Sequence, residues 1–326
     1  MLKDAPRRRD DGEDADLAAR AAWLHFAAGL TQGDVARRLG IPNIKAHRLI
    51  ARATREGLVR IVVDAEVSEC IALEDRLCEL FDLSLCRVVP DLEETGAIPV
   101  KALAIAGSAF LKSEIERGEA DLIGIGHGRT LAAAVNALPH VPAGRIRFVS
   151  MFGGLSKRFA ANPYDVIHRL AERTGAEAFQ IPLPTFANSV HDRDVLLAQP
   201  GIAEVFELAR SAPLVVAGIG DLTDDAFLIA SHMLGDEELA ELRGTGAVGE
   251  MLGHYFDANG RTVAESFTAR ALSPDLECVR RARVVALAGG VAKGRAILAV
   301  LRSGTLDGLL VDEASARGIV AMHGES

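Results

Sequence analysis

Residues 29–60 read GLTQGDVARRLGIPNIKAHRLIARATREGLVR, two short helices joined by a tight turn, the pattern of a helix-turn-helix. Thr31 stands three residues before Asp34, so its hydroxyl can cap the first turn in a variant of the capping box. Val35, Ala36 and Leu39 share one face at helical spacing. Gly40 ends this helix, where a left-handed backbone is easy, and Ile41 can plug the turn. Pro42 suits the start of the second helix, because its missing N–H needs no partner there. Ala46, Leu49, Ile50 and Ala53 then form a stripe to bury, and Asn43, Lys45, His47, Arg48 and Arg52 fall largely on the other side.

That division is what a major-groove reader needs. An amide such as Asn43 can pair with adenine, Lys or Arg with guanine, and the remaining cations with phosphate. A small helical packing unit with a solvated polar face would share the pattern. Residues 20–60, however, hold eight Lys/Arg against two Asp/Glu, a local charge of +6 in a chain whose net charge is −9. The excess favours double-stranded DNA as partner. Residues 1–65 carry 12 Lys/Arg and 9 Asp/Glu, while the remainder carries 24 and 36. A basic N-terminal reader on an acidic body fits DNA binding through one end.

Working outward, residues 1–15 are charged and predict a disordered arm, and residues 16–65 a DNA-binding domain. Residues 16–28 predict its first helix, with Ala18, Ala22, Leu24 and Phe26 packing and Trp23 as a large anchor. A β-branched run at 58–63 predicts a closing strand. Residues 67–81 predict a connecting helix, able to pack on a partner chain or on its own domain core. At 326 residues the chain exceeds what one core usually serves, so residues 66–326 predict a second domain. No apolar run reaches the ~18 residues of a membrane span, and the N-terminus lacks a signal peptide's apolar core. The expected location is the cytoplasm. Cys70, Cys78, Cys86 and Cys278 form no C-x-x-C pair and no zinc-type cluster, so neither disulfide, metal nor cofactor is implied.

From residue 85 short apolar runs alternate with amphipathic stretches. The runs are 85–89, 122–126, 146–152, 178–183, 214–219, 284–288 and 309–311. Continuous apolar strands between helices indicate an α/β fold with a mostly parallel sheet covered on both faces. Ligands in such sheets bind beyond the carboxyl ends of the strands. Two glycine-rich turns stand there. In the first, a strand runs into Gly124-x-Gly126-His127-Gly128, then Arg129, Thr130 and an alanine-rich helix. Glycines bring N–H groups close to an anion, and the helix N-terminus adds a favourable dipole. Thr130 can cap the helix and bond a phosphate oxygen, and Arg129 offers charge-assisted contacts. The spacing is not the dinucleotide fingerprint, and plain tight-turn glycines would look alike. In the second, a strand ends in Gly289-Gly290, and Lys293 starts the next helix. A cation there opposes the dipole unless an anion lies between them. The two turns together point to a small anionic ligand, such as a phosphorylated sugar.

Polar residues in apolar settings extend the list. Asn188, Asp221, Asp225 and Glu250 could orient sugar hydroxyls. The aspartates read better as turn and cap residues, Thr223 with Asp225 as a helix start and residues 257–260 as a hairpin turn. Glu250 is the better ligand candidate.

The chain resembles, nearly end to end, the SorC family of bacterial sugar-responsive transcriptional regulators. The stretches that carry the resemblance are AAWLHFAAGLTQGDVARRLGI, HRLIARATREGLV, GIGHGRTLAAAV, GIGDLTDDAF, VGEMLGHYFDANG and AGGVAKGRAILAVLRSGTLDGLLVDEASAR. The resemblance implies a large domain like the ribose-5-phosphate isomerase and glucosamine-phosphate deaminase fold, a sugar or sugar-phosphate effector, and a homotetramer built as a dimer of dimers. By motif, residues 126–130 and 289–293 would be the phosphate-side loops and Glu250 a sugar-side contact. The second helix of the DNA-binding unit begins PNIKAHR where the family commonly has a Ser-Arg-Pro-Thr-Val-Ser-Arg type of start, which implies a different operator. This variant also looks like the erythritol-catabolism repressor branch. The reading is therefore a regulator of a carbohydrate or polyol operon, and not an enzyme. The rival is an isomerase or deaminase with an accessory DNA-binding domain. It needs a base at the sugar carbon, for which only Asp221 and Asp225 could be named.

Overall fold

The computed structural model describes residues 10–59, 68–92, 94, 96–154, 166–223 and 234–324. The chain divides into two compact units, Met1–Ala65 and Glu66–Ser326.

The first unit is helical. Helix Asp10–Ala22 leads into a π-helical turn, Trp23–Ala27, and helices Gln32–Leu39 and Asn43–Arg55 follow. The first helix starts at Asp10, earlier than the expected residue 16. Trp23 is 62% exposed and Phe26 42%, against the expectation that both pack inward. The π turn, closed by Ala28 N–H donating to the Trp23 carbonyl at 3.1 Å, shifts the register past the buried stripe. Leu24 stays in the core with Ala18, Ala21, Ala22, Val35, Ala36, Ala46, Leu49, Ile50 and Ala53. Its many alanines let the helices approach closely. Thr31 caps the second helix by accepting from Asp34 N–H. Gly40, at φ +64°, ends it with the left-handed residue the turn requires. Of the strand expected at 58–63, residues 60–63 lie outside the described residues, and Leu58 and Val59 are in neither strand nor helix.

The second unit opens with helix Ser68–Phe81, which packs on its own domain: Cys70 and Leu77 are buried in the core beside the first strand and the C-terminal helix Glu313–Gly324. Among the described residues ten strands follow: β1 Leu85–Val89, β2 Leu122–Ile125, β3 Arg147–Ser150, β4 Ala178–Phe179, β5 Leu214–Ala217, β6 Gly249–Met251, β7 His254–Phe256, β8 Thr262–Val263, β9 Arg283–Leu287 and β10 Gly308–Asp312. Seven form one sheet in the order β1-β10-β9-β5-β2-β3-β4, and every pairing in it is parallel. The run at 178–183 stops pairing after Phe179; Pro182 cannot donate to a ladder. The strands are apolar on both faces because both are covered. Leu122, Val149, Val215, Ala217, Val284, Ala286, Leu309 and Val311 enter one core, and Ile123, Ile125, Phe148, Leu214, Val216, Val285, Leu287 and Leu310 the other.

From β2 the chain steps outward to β3 and β4. It then returns to set β5 on the other side of β2, and continues to β9 and β10. The winding reverses between β2 and β5, which marks where an open α/β sheet takes its ligand. Strands β6, β7 and β8 form a separate antiparallel ribbon. A short bridge, Gly220 to Glu250, ties this ribbon to the end of β5.

Candidate functional site

Helix Asn43–Arg55 buries Ala46, Leu49, Ile50 and Ala53 and turns the rest outward. A groove along the outward face is lined by Pro42, Ile44, Lys45, His47, Arg48, Ala51, Arg52 and Arg55. Four of the five residues expected there lie in it. Asn43 is exposed but lies outside this groove; at about 100° per residue, the first helical position falls beside the buried stripe. Arg52 Nε bonds Glu56 Oε1 at 2.7 Å, which holds that guanidinium along the helix. Arg48 and Arg55 have no ion pair among the described residues. Sequence reading had passed over Ile44 and Ala51.

The second site is a cavity at the winding reversal, lined by Ile98, His127, Gly128, Arg129, Thr130, Phe152, Gly218, Ile219, Gly220, Glu250, Leu252 and Lys293. Each element has a local reason to deliver its residue there. Strand β2 runs into Gly126, whose N–H donates to the Val216 carbonyl at 2.8 Å. The chain then turns out through His127 into helix Arg129–Ala137, with Gly128 at the N-cap. Strand β5 is followed by Gly218-Ile219-Gly220. Gly220 and Glu250 exchange backbone hydrogen bonds of 2.8 and 3.0 Å. A Cβ on Gly220 would sit 2.6 Å from Glu250 Oε2, so the carboxyl needs this glycine. Leu252, at φ +53°, and Gly253 make the tight turn after β6, and Gly253 N–H donates to Glu250 Oε1 at 2.7 Å. Lys293 reaches in from the turn after β9, and its Nζ donates to the Ile219 carbonyl at 2.9 Å. His127 stands edge-on to Phe152 with ring centres 5.2 Å apart.

Burial sets the electrostatics. It pushes the Glu250 carboxyl up to about 7, against the Gly253 N–H and Lys293, which pull it down. It also lowers the Lys293 ammonium, with Arg129 adding to the drop while Asp221 and Glu250 oppose it. The cavity thus holds two cations, an acid poised near neutrality, and the apolar walls of Ile98, Phe152 and Leu252. Such a lining suits a small molecule with hydroxyls along one side, C–H groups along the other, and room for an anionic end.

Of ten expected effector residues, His127, Gly128, Arg129, Thr130, Glu250 and Lys293 meet here. The other four do not line the cavity. Gly126 N–H is spent on β5. Gly290 N–H donates to the buried Asp312 Oδ1 at 2.8 Å, and a Cβ on Gly289 would lie 2.1 Å from that oxygen. Gly289 is thus glycine to admit a carboxylate of the protein's own, and Gly290, at φ +101°, because a Cβ would meet the Ala97 carbonyl at 2.6 Å. Asn188 is exposed, ahead of Ser189, which caps helix Val190–Leu197. Thr130 does not cap its helix either, because its hydroxyl donates to the Leu287 carbonyl at 3.0 Å. Asp221 accepts from Thr223 Oγ1 at 2.6 Å in a local turn, and Asp225 lies outside the described residues. The glycines after β5 were the feature sequence reading missed, although GIGD repeats the first three residues of GIGHG at a strand end.

Comparison with known proteins gives this arrangement its context. The family model described as "Putative sugar-binding domain" matches residues 65–321. The erythritol catabolism regulatory protein EryD of Brucella abortus is 50% identical, over 94% of this chain and 97% of that protein. The chain belongs to the SorC-type family of sugar-binding transcriptional regulators. The transcriptional regulator LsrR of an Enterobacter species is 30% identical over 95% of this chain and 94% of its own. The full-length sorbitol operon regulator SorC of Klebsiella pneumoniae shares the fold, with a TM-score of 0.67 at 23% identity over 94% of this chain and 99% of that one.

As a member of this family the protein is a sugar-responsive transcriptional regulator of a catabolic operon, close in sequence to the erythritol regulator. Its relatives are regulators rather than enzymes, and the isomerase–deaminase alternative falls with them. Among the described residues no helix is long and apolar enough to cross a membrane, and no group of His, Cys, Asp and Glu could hold a metal ion.

Proposed function

We propose that this SorC-type regulator is a cytoplasmic repressor whose operator affinity is set by a small polyol, sugar or sugar phosphate bound in the cavity between β2 and β5. The observation that carries the effector half is the convergence of Arg129, Glu250 and Lys293 on one cavity at the winding reversal. Glu250 orients hydroxyls, Lys293 and Arg129 take the anionic or most electron-rich end, and Phe152 and Leu252 face the carbon chain. The similarity to the erythritol regulator supports a short-chain polyol, or an oxidised or phosphorylated derivative of one, as the effector. The DNA half rests on the groove of helix Asn43–Arg55. Lys45, His47, Arg48 and Arg52 face the duplex with Asn43 at the helix start, as a major-groove reader requires. Dimers place two such helices on successive grooves, and a dimer of dimers bridges two operators. Effector binding favours one arrangement of the tetramer, and a shift of a few kcal/mol suffices to change occupancy.

The test is a thermal-stability screen of the purified protein against four- to six-carbon polyols, the matching sugars and their phosphates. A true effector stabilises the fold by about 2.7 kcal/mol at a hundredfold excess over Kd. We expect one short-chain polyol or derivative to stabilise and to release operator at matching concentrations. Stabilisation by no member of the panel, or steady turnover of a sugar phosphate, would overturn the proposal.

A further inference from the structure

Ile44 is 77% exposed, more than any other large apolar side chain among the described residues, and it belongs to no core cluster. Its place is not random. At about 100° per residue, Ile44, Arg48, Ala51 and Arg55 run along one line of the helix, opposite the buried Ala46, Leu49, Ile50 and Ala53. Lys45 and Arg52 lie along one side of that line and His47 along the other. The centre of a strongly cationic face is thus apolar at two positions, large at the N-terminal end and small two turns later.

We propose that Ile44 reads the 5-methyl group of a thymine in the operator's major groove. The inference rests on the DNA-binding reading above and names what that helix selects. The thymine methyl is the apolar feature of the major-groove edge, and aliphatic contact is how proteins recognise it. Recognition helices contact base edges chiefly with their N-terminal residues, and Ile44 is the second residue of this one. The surrounding cations argue for nucleic acid rather than a second protein as the occupant: they hold phosphate but cannot tell T from C. Ala51, without reach of its own, lets the helix lie close enough for Ile44 to touch the methyl.

Selection of bound sequences with the full-length protein yields the operator. Each thymine of its half-sites is then replaced in turn by deoxyuridine, which deletes only the methyl, and affinities are measured for wild type, Ile44→Val and Ile44→Ala. One thymine per half-site should cost the wild type roughly three- to tenfold when demethylated, the scale of burying one or two methyl groups. Ile44→Ala should lose as much on the intact operator and be indifferent to that deoxyuridine, with Ile44→Val in between. Equal losses from deoxyuridine in wild type and Ile44→Ala at every thymine would overturn the inference, as would an Ile44→Ala protein that binds like wild type. Recovery of no specific DNA sequence at all would instead remove the parent reading.

Discussion

Helix Asn43–Arg55 and the cavity beyond β2 and β5 are both built around cations, and they use them differently. On the helix, Arg48 and Arg55 stand on the exposed face with no ion pair among the described residues. In the cavity several donors already have work: Lys293 Nζ holds the Ile219 carbonyl, Thr130 holds Leu287, and Gly220 holds Glu250. An exposed cationic face suits a polyanion met through a hydrated surface, where each contact is weak and salt-sensitive. A pre-bonded, desolvated lining suits one small molecule that must replace specific hydrogen bonds, where each contact is strong and selective. On the proposed function, selectivity for the effector resides in few residues, and affinity for DNA in many.

The largest effect should come from the cavity. Lys293→Met keeps the length of the chain and removes the charge. It should weaken effector binding by roughly 1.5–3 kcal/mol, the scale of a charged hydrogen bond, and more for a phosphorylated ligand than for its neutral parent. Apo stability should hold, since a buried charge goes with it. Calorimetric titration reads both, and an equal loss for the two ligand forms would make Lys293 a structural residue. Next comes Gly289→Ala. Its methyl would meet Asp312 at 2.1 Å, so overpacking should cost about 1–3 kcal/mol of stability in denaturant unfolding, with effector selectivity unchanged in the folded fraction. A change of selectivity without loss of stability would return this glycine pair to the ligand site.

On the helix, Arg48→Ala should cost roughly 1–3 kcal/mol of operator affinity and relax the sequence preference, if it reads guanine. Asn43→Ala should cost less, given its place beside the groove. The reverse order in a footprint titration would move the reading edge to the helix start.

Glu250 supplies a pH prediction. Its carboxyl titrates near 7 in the folded protein and at 4.5 in the unfolded chain. Between these values the native state holds a proton the unfolded state has lost, so this group makes stability fall as pH rises from about 4.5 to 7. Glu250→Gln should flatten that slope. A polyol that donates hydroxyls to the carboxylate favours the ionised form. Its affinity should rise with pH up to about 7, by no more than about tenfold per unit, and then level off. An affinity that falls over the same range would mean that Glu250 donates to the ligand. The smallest effect belongs to Arg55→Ala: all DNA bound more weakly alike, and the salt dependence flattened by about one unit of slope.

Much of this was legible in the chain. All seven apolar runs became strands of the main sheet, because a parallel strand must be apolar on both faces whatever its neighbours are. Thr31, Gly40 and Pro42 were legible because caps and turns are settled within four residues. What escaped was settled at a distance. The Gly289–Gly290 pair answers Asp312, 22 residues on, and Lys293 bonds a carbonyl 74 residues away. Trp23 and Phe26 were misplaced by one π turn, which no spacing rule announces. Ile44 was overlooked because attention to a DNA-facing helix goes to its charges, and the apolar residue among them was assigned no role.

The most direct test of the account follows operator release by fluorescence anisotropy as effector is added, with wild type and Lys293→Met side by side. Wild type should leave the operator over the concentration range in which the effector stabilises it. Lys293→Met should bind operator equally well and stay bound. Release of both proteins at the same effector concentration would contradict the claim that the cavity between β2 and β5 is where the signal is read.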